Sequence, residues 1–196
     1  MSKKMAASVY QPALHILLKP INNAQGEQIT SVSLRMINAS EHRKVVEDHT
    51  DDSDLLYRQL IKVGSGLTDD ELKQIIMPDY NTLLDLVEEH YGQNSRYWFS
   101  KAGVEIADSV EELTLLHPLS ALKVIKLTFP TLAVIDVMNS YDTTEQDMFI
   151  KMSCTGLGVK ELDALSVSDS KMLDAKVTDF LSQTASFFSK KMTEKN

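Results

Sequence analysis

The chain has 196 residues, a net charge of −8 and a pI near 5.1. That length suits one ordinary domain or two small ones, and an acidic chain with dispersed Lys and Arg is a poor binder of phosphate backbones, so a nucleic-acid partner is not expected. The single cysteine, Cys154, excludes an internal disulfide and a cysteine-based zinc site; no stretch approaches the ~18 apolar residues of a membrane span, and the lysine-bearing start lacks the apolar run of a signal peptide.

Leu14–Ile21 and Ile29–Met36 read as two extended stretches around turn chemistry at Asn22–Gln28, with Gly26 able to take positive φ. The second stretch alternates, with Val32, Leu34 and Met36 on one side and Ser33 and Arg35 on the other, which predicts a hairpin with one buried face. Asn38 to Glu41 has the form of a capping box opening a short helix. Ser53–Val63 places Leu56, Leu60 and Val63 on one stripe, and the Gly64-Ser-Gly66 run ends that helix. Thr68 to Glu71 is a second capping box, for a helix through Ile75. Pro78 ends that segment, and Asp79 precedes a helix to Tyr91 with Tyr80, Leu83, Leu84, Val87 and Tyr91 on its apolar face.

The order then returns. Residues 66–87 fall on 156–177 without a gap and share seven identities: Gly66/Gly156, Leu67/Leu157, Glu71/Glu161, Leu72/Leu162, Asp79/Asp169, Leu83/Leu173 and Val87/Val177. Average composition would give roughly one or two, so a duplicated module is expected. In the second copy Leu113–Leu119 and Val124–Phe129 answer the hairpin strands with a shorter turn, and Thr131–Asn139 answers the first helix. Thr143 to Gln146 has capping-box form, Lys160–Leu165 answers the third helix, and Ser168 opens the last, whose stripe is Leu173, Val177, Phe180, Leu181 and Phe188. The fold class expected is α+β, as two tandem repeats over 13–101 and 111–190. Each repeat is an antiparallel β-hairpin followed by three to four short amphipathic helices. A linker spans 102–110, and the ends 1–12 and 191–196 fray.

No catalytic or metal pattern is legible. His15, His42, His49, His90 and His117 form no metal-ligand spacing, the glycines at 64 and 66 lack a phosphate-loop context, and Asp48–Asp54 lacks the calcium-loop spacing and reads as a solvated connection. Catalytic residues, metal and cofactor are therefore all expected to be absent. Two features exceed what a closed core needs. Nine methionines either scatter through the core, as is ordinary, or provide an adaptable surface for helical segments. The aromatic tails Trp98-Phe99 and Phe187-Phe188, which correspond at an offset of 89, either extend the last apolar faces or form a sticky edge for a partner helix. The candidate partner-binding residues are Tyr91, Trp98, Phe99, Phe180, Phe187 and Phe188.

The repeat unit resembles the tail assembly chaperone family of contractile-tailed phages of the Mu and P2 type. The residues that carry the likeness are Leu17 to Ile21, Leu34-Arg35, Gly66-Leu67, Glu71-Leu72, Asp79 and Leu83. In the second copy they are Leu115 to Leu119, Leu127-Thr128, Gly156-Leu157, Glu161-Leu162, Asp169 and Leu173. Family members usually carry one unit, so two in tandem is a departure, as is Thr128 where the family commonly has Arg. The resemblance implies a non-catalytic protein of the host cytoplasm. Its expected role is to bind the tape measure protein, keep its apolar helices soluble and promote tail tube assembly. The partners implied are the tape measure protein and the tail tube protein, with self-association a further expectation and no membrane. Duplication would put two binding grooves on one chain and raise avidity. The alternative is a structural tail or baseplate component retained in the virion.

Overall fold

A computed structural model describes residues 9–49, 51–106 and 109–188. Expectations for the ends 1–8 and 191–196, for Thr50 in the acidic connection, for linker residues 107–108 and for the tail residues Ser189 and Lys190 lie outside the described residues. The protein is mixed α/β. Hairpin β1 (Ala13–Asn22) and β2 (Gln28–Leu34) is followed by α1 (Ala39–Asp48), α2 (Ser53–Ser65), α3 (Asp69–Leu72), α4 (Met77–Gly92) and α5 (Ser95–Lys101). Hairpin β3 (Glu112–Leu119) and β4 (Leu122–Lys126) is followed by α6 (Leu132–Met138), α7 (Thr143–Thr155), α8 (Val159–Ala164) and α9 (Val167–Ser182), with a last helical turn at 185–188.

Local chemistry sets the boundaries. Asn38 and Glu41 form the reciprocal capping box of α1, and Thr68 and Glu71 that of α3. α2 and α7 both stop on a glycine in the left-handed region, Gly66 at φ 79° and Gly156 at φ 71°. Four expectations are corrected. Pro78 sits in the first turn of α4, where its missing N–H costs nothing, so the helix starts at Met77 and contains Asp79. α3 is a single turn that ends at Leu72. α7 is capped by Asp142, whose carboxylate accepts the Glu145 N–H at 3.0 Å. α9 is capped by Ser166 and starts at Val167, so Ser168 lies inside its first turn.

Each hairpin lies over its helices and closes a hydrophobic cluster. The first is built on Leu17, Ile21, Leu34, Ile37, Ile61, Leu83 and Val87, and also takes in Val167 from the start of α9. The second is built on Leu113, Ile125, Leu165, Leu173, Val177 and Phe180, with Cys154 fully buried among them. Two backbone ties fix where each hairpin leaves its sheet. The Arg35 N–H donates to the Gly64 carbonyl at 3.1 Å, and the Thr128 N–H to the Cys154 carbonyl at 2.7 Å. The second tie draws the chain away from the hairpin, which is why β4 ends at Lys126 rather than Phe129.

The two halves share one joint. The Val167 N–H donates to the Ile37 carbonyl at 2.9 Å, the Ala39 N–H to the Leu165 carbonyl at 2.8 Å, and Arg43 pairs with Asp163 at 2.6 Å. Residues 9–12 belong to this joint and do not fray at Tyr10, whose ring is 6% exposed and packs edge-on against His90, Trp98 and His117.

Candidate functional site

A carboxylate beneath β1 positions the most exposed apolar surface of the first half. The β1–β2 register shifts between Ile16 and Ile21, which turns backbone groups of β1 away from β2. Asp79, 1% exposed in the first turn of α4, accepts the Leu18 N–H with both oxygens at 3.1 Å and lies 2.8 Å from His15 Nε2. Burial alone would raise its pKa, but the Leu18 N–H, the His15 side chain and the Lys19 N–H hold the carboxyl below the usual range. Its position at a helix N-terminus also favours the charge. Under β3, Asp169 holds the strand through matching hydrogen bonds, accepting the Leu116 N–H at 2.8 Å, the His117 N–H at 3.0 Å and the Ser166 hydroxyl at 2.7 Å.

Held this way, β1 turns Ala13, Leu17 and Ile21 into the core and Leu14, Ile16 and Leu18 outward, at 66%, 72% and 73% exposure. Their cross-strand neighbours on the outer face are small and polar, Ser33 opposite Leu14 and Ser31 opposite Ile16, so nothing in the hairpin shields the stripe. Leu14 also lines a groove of about 550 Å³ between the start of β1 and the α4–α5 corner, walled by Leu86, Trp98 and Val104. On its polar rim Glu89 pairs with Lys101 and accepts the Tyr97 hydroxyl, while the Lys101 ammonium stands 5.2 Å from the centre of the Trp98 ring. His90 also lines it, and its burial pushes its pKa down, against weaker opposing pulls from the Leu86 carbonyl and Glu89. The result is an apolar stripe running into an apolar groove, a shape that accepts the hydrophobic face of a partner segment. Among the described residues no group of three His, Cys, Asp or Glu could hold a metal ion, and no helix is long and apolar enough to cross a membrane.

Most of the aromatic residues expected at a sticky edge are core residues, and this is a correction. Tyr91, Trp98, Phe99 and Phe180 are 2%, 5%, 6% and 1% exposed. The Tyr91 hydroxyl donates to the Arg35 carbonyl at 2.8 Å, and the Trp98 indole N–H to the Ser168 hydroxyl across the joint at 3.2 Å. Phe180 stacks on Phe129 at 4.3 Å, and Phe188 meets both rings edge-on. Phe187 and Phe188 are half-buried, so they alone of the six keep partial access to solvent. Methionine gives little surface either: Met172 is buried and Met36, Met148 and Met152 pack on the clusters, while Met77 is exposed.

The second hairpin offers no matching stripe. Its outward positions are Glu112, Thr114 and Leu116, all half-buried, and the first two line a small pocket together with Arg96 and Ile106. Among the described residues of the two hairpins, the open apolar stripe is on β1. Its signal was present in the chain: Ala13–Leu18 is apolar at both alternating parities apart from His15, which a strand backed on one face only by helices cannot bury. Comparison of the chain with protein families, with characterised proteins and with solved structures gives no match.

Proposed function

We propose that the chain is an assembly chaperone of the phage-tail type, built by tandem duplication of one hairpin-and-helices unit. It acts by binding rather than by catalysis: it covers apolar helical segments of a tape measure protein in the host cytoplasm and holds them soluble while tail tube subunits assemble. The observation that carries the reading is the open Leu14, Ile16 and Leu18 stripe with its adjoining groove. A tape measure helix has an apolar face it cannot bury alone, and a stripe of alternate strand residues beside a groove is a complementary surface for it. The remaining acidic surface keeps such a complex dispersed.

The duplication is supported by matched positions of different kinds. Gly66 and Gly156 end equivalent helices with the same backbone, and Asp79 and Asp169 hold equivalent strands through the same N–H groups. Arg35 and Thr128 tie equivalent hairpin exits. Asn38 and Thr131 stand at equivalent helix starts. Co-expression with the tape measure protein tests the function. The expected result is a tape measure protein that becomes soluble and co-purifies with this chain. A tape measure protein that aggregates equally with and without it refutes the proposal, and a stoichiometric copy in purified virions replaces it with a structural role.

A further inference from the structure

The joint between the halves is one-sided, and its unused faces are complementary. Half one contributes the entry to α1, with Ile37, Ala39 and Arg43. Half two contributes the entry to α9, with Leu165, Val167 and Asp163. These surfaces are not equivalent to each other, so the contact is heterologous rather than two-fold. A shift of 93 residues carries the first surface onto the entry to α6, at Pro130, Leu132 and Asp136. A shift of 90 residues back carries the second onto the entry to α4, at Ile75, Met77 and Lys73. Within one chain these two surfaces stay open: Leu132 is 81% exposed, its neighbour Phe129 59% and Met77 64%.

We infer that copies of this chain associate head to tail, the α6 entry of one copy docking on the α4 entry of the next in the geometry of the internal joint. The occupant of each open surface is thus a second copy. The inference rests on the duplication and is independent of the chaperone role. Three observations favour it. The ion pair is preserved with its signs exchanged: Arg43 meets Asp163 inside the chain, and the corresponding pair between copies is Asp136 with Lys73. Lys73 is 73% exposed and pairs with Asp70 on the surface, with Asp69 nearby, contacts that exchange readily. The backbone bonds are also preserved. The internal joint uses the Ile37 carbonyl and the Val167 N–H, and the counterparts are the Pro130 carbonyl, which proline retains, and the Met77 N–H, which lies in a first helical turn without an intrahelical partner. Finally, the helix starts at the two open surfaces lack side-chain caps. Ile76 and Thr131 make no cap bond, whereas Asn38 and Ser166, at the joined starts, both do. A contact of this kind repeats, so association continues past the dimer into rings or short filaments.

Sedimentation velocity over a concentration series, with Met77→Asp and Leu132→Asp variants of the full chain, tests this. Wild-type mass is expected to rise beyond the dimer with concentration, and each variant alone to weaken association by about ten-fold or more. The two variants mixed are expected to give a one-to-one dimer and nothing larger, because each retains the surface the other lacks. The exchange of Lys73→Asp with Asp136→Lys in one chain is expected to restore the association that either change alone weakens. All four positions are on the surface, so the melting temperature stays that of the wild type. A chain that remains monomeric to millimolar concentration overturns the inference, as does association untouched by both variants or a mixture in which they fail to complement.

Discussion

Asp79→Ala removes the group that holds β1 to α4, and its cost can be worked from the contacts. The carboxylate accepts the Leu18 N–H with both oxygens at 3.1 Å and lies 2.8 Å from His15 Nε2, at 1% exposure. A hydrogen bond to a charged group contributes about 1.5–3 kcal/mol, and a buried donor left unsatisfied costs about 1–3 kcal/mol. The alanine variant should therefore lose about 3–4 kcal/mol, a fall of roughly 10 °C in Tm for a chain of this size. Asp79→Asn keeps one acceptor oxygen but turns an amide donor toward other donors, so about 2 kcal/mol is expected. The pH dependence has a definite sign. A carboxyl whose native pKa is lowered stabilises the fold above its unfolded value of about 3.9 and loses that contribution as pH falls through the native value. The gap between wild type and Asp79→Asn should thus stay constant from about pH 5 to 8, narrow as pH falls below the unfolded value of about 3.9, and close only below the lowered native value. Urea denaturation followed by circular dichroism measures both. A loss under about 1 kcal/mol for Asp79→Ala, or a gap that widens in acid, refutes the reasoning.

Three further outcomes are expected. Gly64→Ala would place a Cβ 1.9 Å from the Tyr91 hydroxyl, displacing a ring that is 2% exposed and breaking its bond to the Arg35 carbonyl; urea melts should show a loss of about 2–4 kcal/mol, reduced when Tyr91→Phe is added. Burial, reinforced by the Lys171 ammonium, lowers the His42 pKa to about 4, and burial also lowers His90 and His117. Native values below the unfolded one mean that stability is full above about pH 6.5 and declines toward pH 4, by at most about 3 kcal/mol from His42, less a discount for its partial exposure. Melting curves across that range, with His42→Gln showing a flatter decline, check this. Trp98→Ala empties the joint beside Tyr10 and removes the bond to Ser168, so a loss of about 3–5 kcal/mol is expected by the same melts, and a surface-like loss under about 0.5 kcal/mol would return Trp98 to the role of a contact for partners.

What the chain discloses by itself is local. The hairpin turns, the boxes at Asn38 and Thr68, and the stops at Gly66 and Gly156 depend on a few neighbouring residues and read directly from them. The misplaced starts of α4 and α9 come from the same source, since Pro78 and Ser168 have strong local meanings that a first helical turn also satisfies. Asp79 and Asp169 were visible as a repeated identity, but their partners are backbone N–H groups more than fifty residues away, which no spacing encodes. For Trp98 the local pattern allows both an apolar face and a sticky edge; its burial is decided by Tyr10 and His90 of its own half and by Ser168 of the other, which no spacing encodes. The β1 stripe was legible in principle, since apolar residues at both parities exceed what one covered face can absorb.

The central claim is that the β1 stripe binds an apolar helical partner. Its most direct test is co-expression of the tape measure protein with wild type and with the Leu14→Ser, Ile16→Ser, Leu18→Ser triple variant, followed by affinity purification and quantification of both chains. These side chains are 66–73% exposed, so the variant should fold with an unchanged melting temperature. The account predicts that it loses at least about nine-tenths of the co-purified partner, a change of roughly 1.4 kcal/mol or more in binding. Recovery of the partner at the wild-type level by a folded triple variant contradicts it.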